Sequence, residues 1–229
     1  MENVPKLSEM EKKDIPGYIW DYYKWPIIIV IAVIVALVSI VHGRLTAKDE
    51  ALYILAGNAD SLHMVEHPEG TLDEFLQEQG LDPEKNEIGI NTNVTYTGAD
   101  SQVYTLATLA TLIGAGQVDV AISHGELYEY MSGNAEFLPM EEVFTPEEME
   151  RYKDHLVQGT YHEITYNEDG TEGETVDHDY ICGVSVSADN AWVQATGMYP
   201  DTDVVVGVIA NTQHKDLAKA FLIYLLENE

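Results

Sequence analysis

One uninterrupted apolar stretch near the N-terminus constrains this chain more than any other feature. From Ile27 to Val41 no residue is charged, and Ser39 carries the only polar side chain. As a helix this stretch would extend about 22 Å, and the hydrocarbon core of a bilayer is about 30 Å thick. Flanking residues on each side can complete the span at the interfaces. The sequence therefore predicts a transmembrane helix over residues 25–43.

Residues on either side of the stretch indicate its orientation. Five of the eight residues in Tyr18–Trp25 are aromatic, which is typical of a belt at a membrane interface. Four lysines precede the stretch, whereas only Arg44 and Lys48 follow it closely. Because basic residues concentrate on the cytoplasmic side, we expect a cytoplasmic tail over 1–24 and an extracytoplasmic tether over 44–50. The protein would then be a single-pass cell-membrane protein that contacts the lipid bilayer.

Two other interpretations of the apolar stretch are less consistent with the sequence. Its length is compatible with a cleaved signal peptide, but the region before it is long and aromatic. In addition, Leu45-Thr-Ala47 places a bulky residue where a cleavage site requires a small one. A buried core helix is disfavoured because the stretch has no polar face at any helical period.

The remainder of the chain is strongly acidic. The protein has 40 acidic and 11 basic residues, and beyond Trp25 there remain 35 acidic and 7 basic residues, a formal charge of −28. Such a surface repels phosphate backbones, which excludes nucleic acid as a partner. It attracts a cationic or small-molecule ligand bearing positive charge, although solubility is the simpler explanation of the same charge.

A single cysteine, Cys182, excludes an internal disulfide. It lies in the strand-like run Tyr180–Val186, where we expect a buried and inert thiol rather than a nucleophile. An extracytoplasmic domain without disulfides fits a bacterial protein better than a eukaryotic secreted one.

Residues 51–229 have the pattern of one α/β domain. Apolar runs and helix-period segments alternate up to residue 130, which favours a parallel sheet with crossover helices. We therefore expect a three-layer sandwich around a mainly parallel sheet. The predicted strands lie at 52–57, 86–96, 118–122, 161–166, 174–186 and 203–210, and the predicted helices at 71–80, 101–114, 125–130, 145–157, 188–196 and 215–227.

Several segments of this domain resemble type 2 extracellular solute-binding proteins. The strand Gly116–Ile122, the segment Phe137–Glu142, the return strand Tyr180–Ala188 and above all the strand and helix of Val206–Leu225 are similar to that family's packing motifs. The resemblance implies a periplasmic-binding-protein-like fold with ligand between two lobes. Only about 20 residues separate the return strand from the final strand here, so the second lobe would be reduced to a hairpin.

The carboxyl ends of the predicted parallel strands supply the candidate binding residues. Ligands of open α/β sheets bind beyond these ends, and free N–H groups at a helix start, which Asp100 or Ser101 would cap, can hold an anion. Ordinary capping and turn formation is the alternative role for these residues. The candidates are Asn58, Asp60, Ser61, Asp100, Ser101, Ser123 and His124.

No pattern of residues indicates catalysis or a resident metal. A nucleophile elbow, a P-loop, an HExxH motif and a Cys–His pair are all missing from the sequence. His63 and His67 have metal-ligand spacing but no evident third ligand. The segment Thr165–Val176 has a calcium-loop-like centre but lacks carboxylates at its first and twelfth positions. We expect a protein that is not an enzyme and that has neither a cofactor nor a metal.

These features together predict a membrane-anchored, extracytoplasmic binding protein. By analogy with the family it resembles, it would be a binding or accessory subunit associated with transport, with an ABC-type transporter or another membrane protein as its partner. The alternative is a structural or protein-interaction module that uses the same fold without a small-molecule ligand. An enzyme on the same sheet is the third possibility.

Overall fold

The computed structural model describes residues 15–60, 62, 65, 71–96, 99–167 and 169–228. The chain divides into two compact units, the first ending at Ala47 and the second beginning at Lys48. Helix α1, Ile15–Thr46, belongs to the first unit, and every other element belongs to the second.

Helix α1 has 32 residues and contains Pro26. Its apolar side chains are exposed along its length, from Trp25 at 68% to Val38 at 62%. Within the part of the chain that the structure describes, we find no helix with both the length and the apolar character needed to cross a membrane.

Six strands of the second unit form a single sheet. They are β1 Asp49–Ala56, β2 Asn86–Asn91, β3 Val120–Ser123, β4 Leu156–Tyr166, β5 Glu172–Val186 and β6 Val204–Val208. Their order in the sheet is β2-β1-β3-β6-β5-β4. The strands pair in parallel from β2 to β3 and antiparallel from β3 to β4.

The prediction of a mainly parallel sheet is therefore wrong for the second half of the sheet. Strand β6 inserts between β3 and β5 and runs antiparallel to both, with Val120 opposite Val208 and Val184 opposite Val206. The helix–strand alternation that predicts parallel pairing ends after α4 (Gly125–Gly133), because two further short helices, a 3₁₀ turn, the β4–β5 hairpin and a short helix then precede β6. Local pattern does not specify where such a returning strand inserts.

Seven helices of the second unit accompany the sheet among the described residues. They are α2 Thr71–Glu78, α3 Ala99–Gly114, α4 Gly125–Gly133, α5 Met140–Val143, α6 Pro146–Arg151, α7 Ala191–Thr196 and α8 Lys215–Glu227. Side chains of α2, α5, α7 and α8 pack on one face of the sheet. Side chains of α3 and α4 pack on the other face. The predicted three-layer α/β sandwich is thus present.

The alternation of side chains along β1 shows how both faces become covered. Leu52 and Ile54 join the core on the α8 face, where Phe221 and Trp192 lie, and Leu55 joins the core on the α3–α4 face. All of these side chains are fully or almost fully buried. A strand buried on both faces reads as a continuous apolar run, which explains why the sequence predicts this strand well.

The helix predicted over residues 145–157 ends earlier in the structure. The helix starting at Thr145 has the expected capping box, with Glu148 N–H donating to the Thr145 hydroxyl and Thr145 N–H donating to the Glu148 carboxylate. However, it ends at Arg151 rather than near Val157, and a 3₁₀ turn at Lys153–His155 follows. Leu156 and Val157 pair with β5 instead, because sheet pairing provides their backbone hydrogen bonds.

Candidate functional site

Asn58 lies directly after β1, at the carboxyl edge of the parallel strands. Its backbone is left-handed, with φ of 57°, a conformation that asparagine tolerates better than most residues. Its N–H donates to the Val94 carbonyl at 2.8 Å, and its side-chain oxygen accepts from Tyr96 N–H at 2.6 Å. These two hydrogen bonds join the loop after β2 to the end of β1. The role of Asn58 is therefore to form a turn.

Asp60 follows in the same turn. Its N–H donates to the Met198 carbonyl at 2.8 Å, and its carboxylate accepts from Leu62 N–H at 3.0 Å. These bonds form a local turn that joins the end of β1 to the segment before β6. The neighbouring candidate Ser61 lies outside the described residues, as do His63 and His67.

Ser123 and His124 end strand β3. The Ser123 hydroxyl is completely buried and has no hydrogen-bond partner among the described residues. His124 precedes α4 with extended backbone and makes no side-chain cap, and its ring lies 5.9 Å from that of Tyr199, edge to face. Of the predicted candidates, Ser123 and His124 thus lie together, one strand away from Asn58.

Asp100 and Ser101 lie in the first turn of α3, which begins at Ala99. The prediction that one of them precedes the helix as its cap is therefore wrong by one or two positions, a common uncertainty at helix ends. The described part of their structure is backbone only, so it shows neither an anion site nor ordinary capping.

Tyr199 occupies the place between the ends of β1 and β3. Its hydroxyl donates to the Gly57 carbonyl at 2.9 Å and lies 3.4 Å from the Ile122 carbonyl. The side chain is 2% exposed, and burial raises the pKa of its hydroxyl. The crevice in which ligands of open α/β sheets bind is thus filled by a side chain of the protein itself. Nothing in the local sequence predicts this, because Tyr199 lies in a turn between α7 and β6.

A second buried polar group lies at the other end of the parallel strands, where β3 begins. The Asp119 carboxylate, just before β3, accepts from Tyr53 N–H at 2.9 Å and from the Thr212 hydroxyl. His214 Nδ1 lies 3.2 Å from both of its oxygens. The Thr212 hydroxyl also accepts from His214 N–H at 3.0 Å, so it is held within this cluster. The Asp119–His214 pair joins β1, β3 and the loop before α8, and sequence analysis missed it.

Glu50 lies near this cluster at the start of β1. Burial raises the pKa of its carboxyl group, as do the negative charges of Asp119 and Glu87, while His214 lowers it. The neighbourhood is therefore unfavourable for a further negative charge, and it would not hold an anion.

Cys182 lies at the base of the β4–β5 hairpin. Its sulfur is buried, and the Tyr128 hydroxyl lies 3.1 Å away. Burial raises the pKa of the thiol, and the Tyr180 hydroxyl nearby donates to the Ser132 carbonyl at 3.1 Å. The prediction of a buried thiol is confirmed, and its inertness stays a prediction.

The β4–β5 hairpin extends beyond the rest of the sheet. Strand β5 pairs with β6 only over Val184–Val186, whereas its pairing with β4 continues to Glu172. The predicted turn is confirmed, since Asn167 N–H donates to the Thr171 carbonyl at 2.9 Å. At about 3.3 Å per residue, the strands from residue 158 to 166 extend about 30 Å.

Cross-strand polar pairs hold this hairpin together. His162 Nδ1 lies 2.7 Å from the Asp177 carboxylate, and His178 Nε2 lies 2.9 Å from the Glu163 carboxylate. The Tyr161 ring stacks on His178 with centroids 4.7 Å apart. Such pairs stabilise a ribbon that has little apolar burial of its own.

The structure does not place these groups as metal ligands. Within the described residues no three side chains of the metal-binding types converge. At the hairpin tip the Asp169 carboxylate accepts from both the N–H and the hydroxyl of Thr171, which is a turn rather than a calcium loop.

Among the open depressions on the described surface of the second unit, four lie away from the predicted site. One of about 680 Å³ lies between α2 and the turn after it, and a second of about 460 Å³ lies between α2 and α8. A more apolar one of about 480 Å³ includes Phe144 and Met149, and a fourth of about 310 Å³ lies beside Asn211. None of the four is lined by Asn58, Asp60, Ser123 or His124.

Comparison of the chain with models of protein families, with curated proteins and with solved structures gives no match.

Proposed function

We propose that this protein is a membrane-anchored, extracytoplasmic binding protein that acts as an accessory subunit and contacts its partner through the surface of its α/β domain. In this proposal the domain does not enclose a small solute. The partner is another membrane protein, for which a transporter of the ABC type remains the leading candidate by analogy alone.

The observation that carries this proposal is the position of Tyr199. A solute-binding domain of this architecture needs space at the carboxyl edge between β1 and β3. The Tyr199 ring fills that space, and its hydroxyl bonds to the Gly57 carbonyl at 2.9 Å. Opening the edge would break this hydrogen bond, at a cost of about 0.5–1.5 kcal/mol. The packing at the carboxyl edge therefore stabilises the fold and leaves this edge poorly suited to binding a ligand.

Helix α1 supports the proposed anchor. Its apolar side chains from Ile27 to Val38 are between 39% and 62% exposed. A contiguous apolar surface of this length is unfavourable in water, and lipid would cover it on all sides. Aromatic residues before it, including Trp20 at 62% exposure, suit the headgroup layer.

Two exposed surfaces of the second unit support contact with a protein. The β4–β5 hairpin projects with both faces exposed over most of its length. Helix α3 exposes Val103 at 78% and Tyr104 at 82%, and no charged residue occurs between Asp100 and Asp119. Depletion of charge with exposed aromatic residues is typical of the core of a protein interface.

A second candidate function is binding of a small solute at the carboxyl edge. The observation that favours it is the Ser123 hydroxyl, which is completely buried and unpaired among the described residues. Buried polar groups normally have a partner. A solute that displaced the Tyr199 ring would supply one, with His124 beside it.

Anchoring and orientation are tested on the full-length chain in cell membranes. Because Cys182 is buried, a cysteine introduced by Glu84→Cys reports alone on labelling by a membrane-impermeant maleimide. We expect labelling of intact cells and recovery of the protein in the membrane fraction after alkaline extraction. Release of the wild-type protein by alkali would contradict the anchor.

Partner contact is tested by photo-crosslinking in the same membranes. A photoreactive residue is placed at Tyr166, which is 68% exposed on the hairpin, and as a control at Glu84, in the turn before β2. We expect a discrete adduct with another membrane protein from position 166 only. Equal adducts from both positions would indicate collision rather than docking.

The two candidate functions are separated by thermal unfolding of the full-length protein with sugars, amino acids, polyamines and divalent cations. A solute present at 100 times its Kd would stabilise the folded state by about 2.7 kcal/mol. We expect no such shift. A clear shift with one class, lost in the Ser123→Ala variant, would replace the docking proposal with solute binding.

A further inference from the structure

We infer that the free edge of β5, residues 172–180, accepts an extended, lysine- or arginine-rich segment of a partner protein as an added β-strand. This inference rests on the proposed function, since it specifies how the α/β domain contacts its partner. It names the element that binds and the chemistry of the segment that is bound.

Strand β5 has a paired neighbour on both sides over only a short part of its length. The strand has 15 residues; β4 pairs with it from Glu172 to Val184, and β6 pairs with only Val184–Val186. Beyond that point β6 turns to the segment 136–138 instead, since Leu138 N–H donates to the Val208 carbonyl and Ala210 N–H to the Glu136 carbonyl. The backbone of residues 182–183 still lies against β6. Among the described residues, no strand pairs with residues 172–180 on the side of β5 away from β4.

The side chains along this part of β5 are accessible to solvent. Residues 173–177 and 179 are exposed, and the two flanking aromatic positions, His178 and Tyr180, are partly exposed. Half of the backbone N–H and C=O groups of such a strand point away from its single neighbour. Addition of a strand to an exposed edge uses these groups for affinity.

The β4–β5 hairpin is strongly acidic. Residues 161–180 contain seven acidic side chains, and no lysine or arginine occurs between Lys153 and Lys215. The hairpin therefore has a single sign of charge along its length. Opposite charges facing each other across strands stabilise pairing, and like charges destabilise it.

The uniformly negative charge distinguishes this edge from an edge whose charges serve only to prevent pairing with other chains. Charged residues on an edge strand prevent unwanted pairing between chains, and a mixture of both signs would serve that purpose equally well. An edge with acidic residues alone repels a second copy of this chain but attracts a basic strand. The charge pattern thus selects against self-association and for a basic partner.

The experiment uses the full-length protein in detergent micelles and a capped synthetic peptide of alternating lysine and threonine. Two comparison peptides have the same length: in one, alternate backbone amides are N-methylated, and in the other glutamate replaces lysine. We expect the lysine–threonine peptide to bind, the N-methylated peptide to bind at least about tenfold more weakly because ladder hydrogen bonds are lost, and the glutamate peptide not to bind. Hydrogen exchange should slow in residues 172–180.

Matched variants locate the peptide. We expect Glu174→Lys, on the hairpin, to weaken binding by about threefold to tenfold, whereas Glu141→Lys, an equally exposed position on α5 with the same charge change, should leave it unchanged. Equal binding of the N-methylated peptide, or equal weakening by the two variants, would show non-specific attraction and overturn the inference. Absence of binding by the lysine–threonine peptide would also overturn it.

These outcomes are separate from those that test the proposed function. If the peptide fails while crosslinks from position 166 persist, the domain still docks a membrane partner but not by strand addition. If the crosslinks also fail, the proposed function itself is wrong.

Discussion

The two halves of the sheet differ in how they are buried. In the parallel half, formed by β2, β1 and β3, helices cover both faces and the core side chains of β1 are at 0% exposure. In the antiparallel half, β4 and β5 leave the sandwich as a two-stranded ribbon on which Ile164 is 44% and Tyr166 is 68% exposed. The first half contains most of the buried core of the domain, whereas the second leaves side chains and a backbone edge exposed.

This difference explains why the usual ligand position and the most accessible surface do not coincide. The carboxyl edge of the parallel half is closed by Tyr199 and the turn at Asn58. The ribbon is held mainly by polar cross-strand pairs. An isolated two-stranded hairpin is only marginally stable in water, so we expect the hairpin to open locally far more readily than the parallel half.

The largest contrast between the halves should appear in the free energy of unfolding. Ile54→Ala removes a fully buried side chain of β1 and should destabilise the protein by about 2–5 kcal/mol. Ile164→Ala on the ribbon should change stability by less than about 0.5 kcal/mol. Urea unfolding of the full-length protein measures both. Comparable losses would show that the ribbon is part of the cooperative core.

Glycine substitutions should distinguish packing from backbone strain. A Cβ on Gly57, after β1, would overlap Leu127 Cδ2, so Gly57→Ala should cost about 1–3 kcal/mol through overpacking. At the hairpin tip Gly170 has φ of +80° with open space around it, so Gly170→Ala should cost about 1–2 kcal/mol through its left-handed backbone.

Asparagine at the same positions provides the control. Gly170→Asn should recover most of the loss seen with alanine, because asparagine tolerates left-handed backbone. Gly57→Asn should be worse than Gly57→Ala, because it adds volume at a crowded point. The same ranking at both positions would contradict the assignment of two different causes.

A smaller effect is expected from the hydroxyl of Tyr199. Tyr199→Phe keeps the ring but leaves the Gly57 carbonyl without its donor, which should destabilise the protein by about 0.5–1.5 kcal/mol. Tyr166→Phe, an exposed change on the ribbon, is the matched control and should have no measurable effect. Chemical denaturation of the two variants side by side decides this. If Tyr199→Phe is neutral, the carboxyl edge is looser than its hydrogen bonds imply.

The smallest effects should be those of pH, with opposite signs in the two halves. The pKa of Glu50 is raised by burial and by neighbouring acids. Its contribution to stability is therefore complete below the unfolded pKa and is lost as the pH rises through the folded one. Glu50→Gln should accordingly be more stable than wild type at neutral pH, and the difference should disappear below the ordinary glutamate pKa of 4.5.

Asp169 at the hairpin tip behaves in the opposite way. Hydrogen bonds from Thr171 lower the pKa of its carboxyl group, so its contribution is present above the unfolded pKa and is lost as the pH falls through the folded one. Asp169→Asn should therefore be less stable than wild type at neutral pH and equal to it in acid. Midpoints of urea unfolding across the pH range test both signs. Parallel pH profiles for the two variants would contradict these assignments.

Elements defined by short-range chemistry were predictable from sequence. Helix α8 spans Lys215–Glu227 as its apolar spacing predicts, and the capping box of Thr145 and Glu148 is present. The hairpin turn at Asn167–Gly170 is confirmed as well. In each case the signal and the structure lie within about four residues of each other.

The candidate site was predictable only in part. Sequence placed Asn58, Ser123 and His124 at strand ends, and the structure brings those ends side by side because β1 and β3 are parallel neighbours. It gave no sign of Tyr199 or of the pair formed by Asp119 and His214, which join residues 142 and 95 positions apart.

The sequence by itself determined the apolar character of α1, the acidic surface, and the positions of most strands and helices, because each depends on composition or on spacing within a few residues. Only the tertiary structure decided that β6 inserts antiparallel between β3 and β5, that Tyr199 closes the carboxyl edge, and that β5 keeps a free edge. The physical reason is that the order of the strands, and the choice of the side chain that fills the carboxyl edge, depend on contacts between distant segments. Many segments of similar hydrophobicity compete for each such contact.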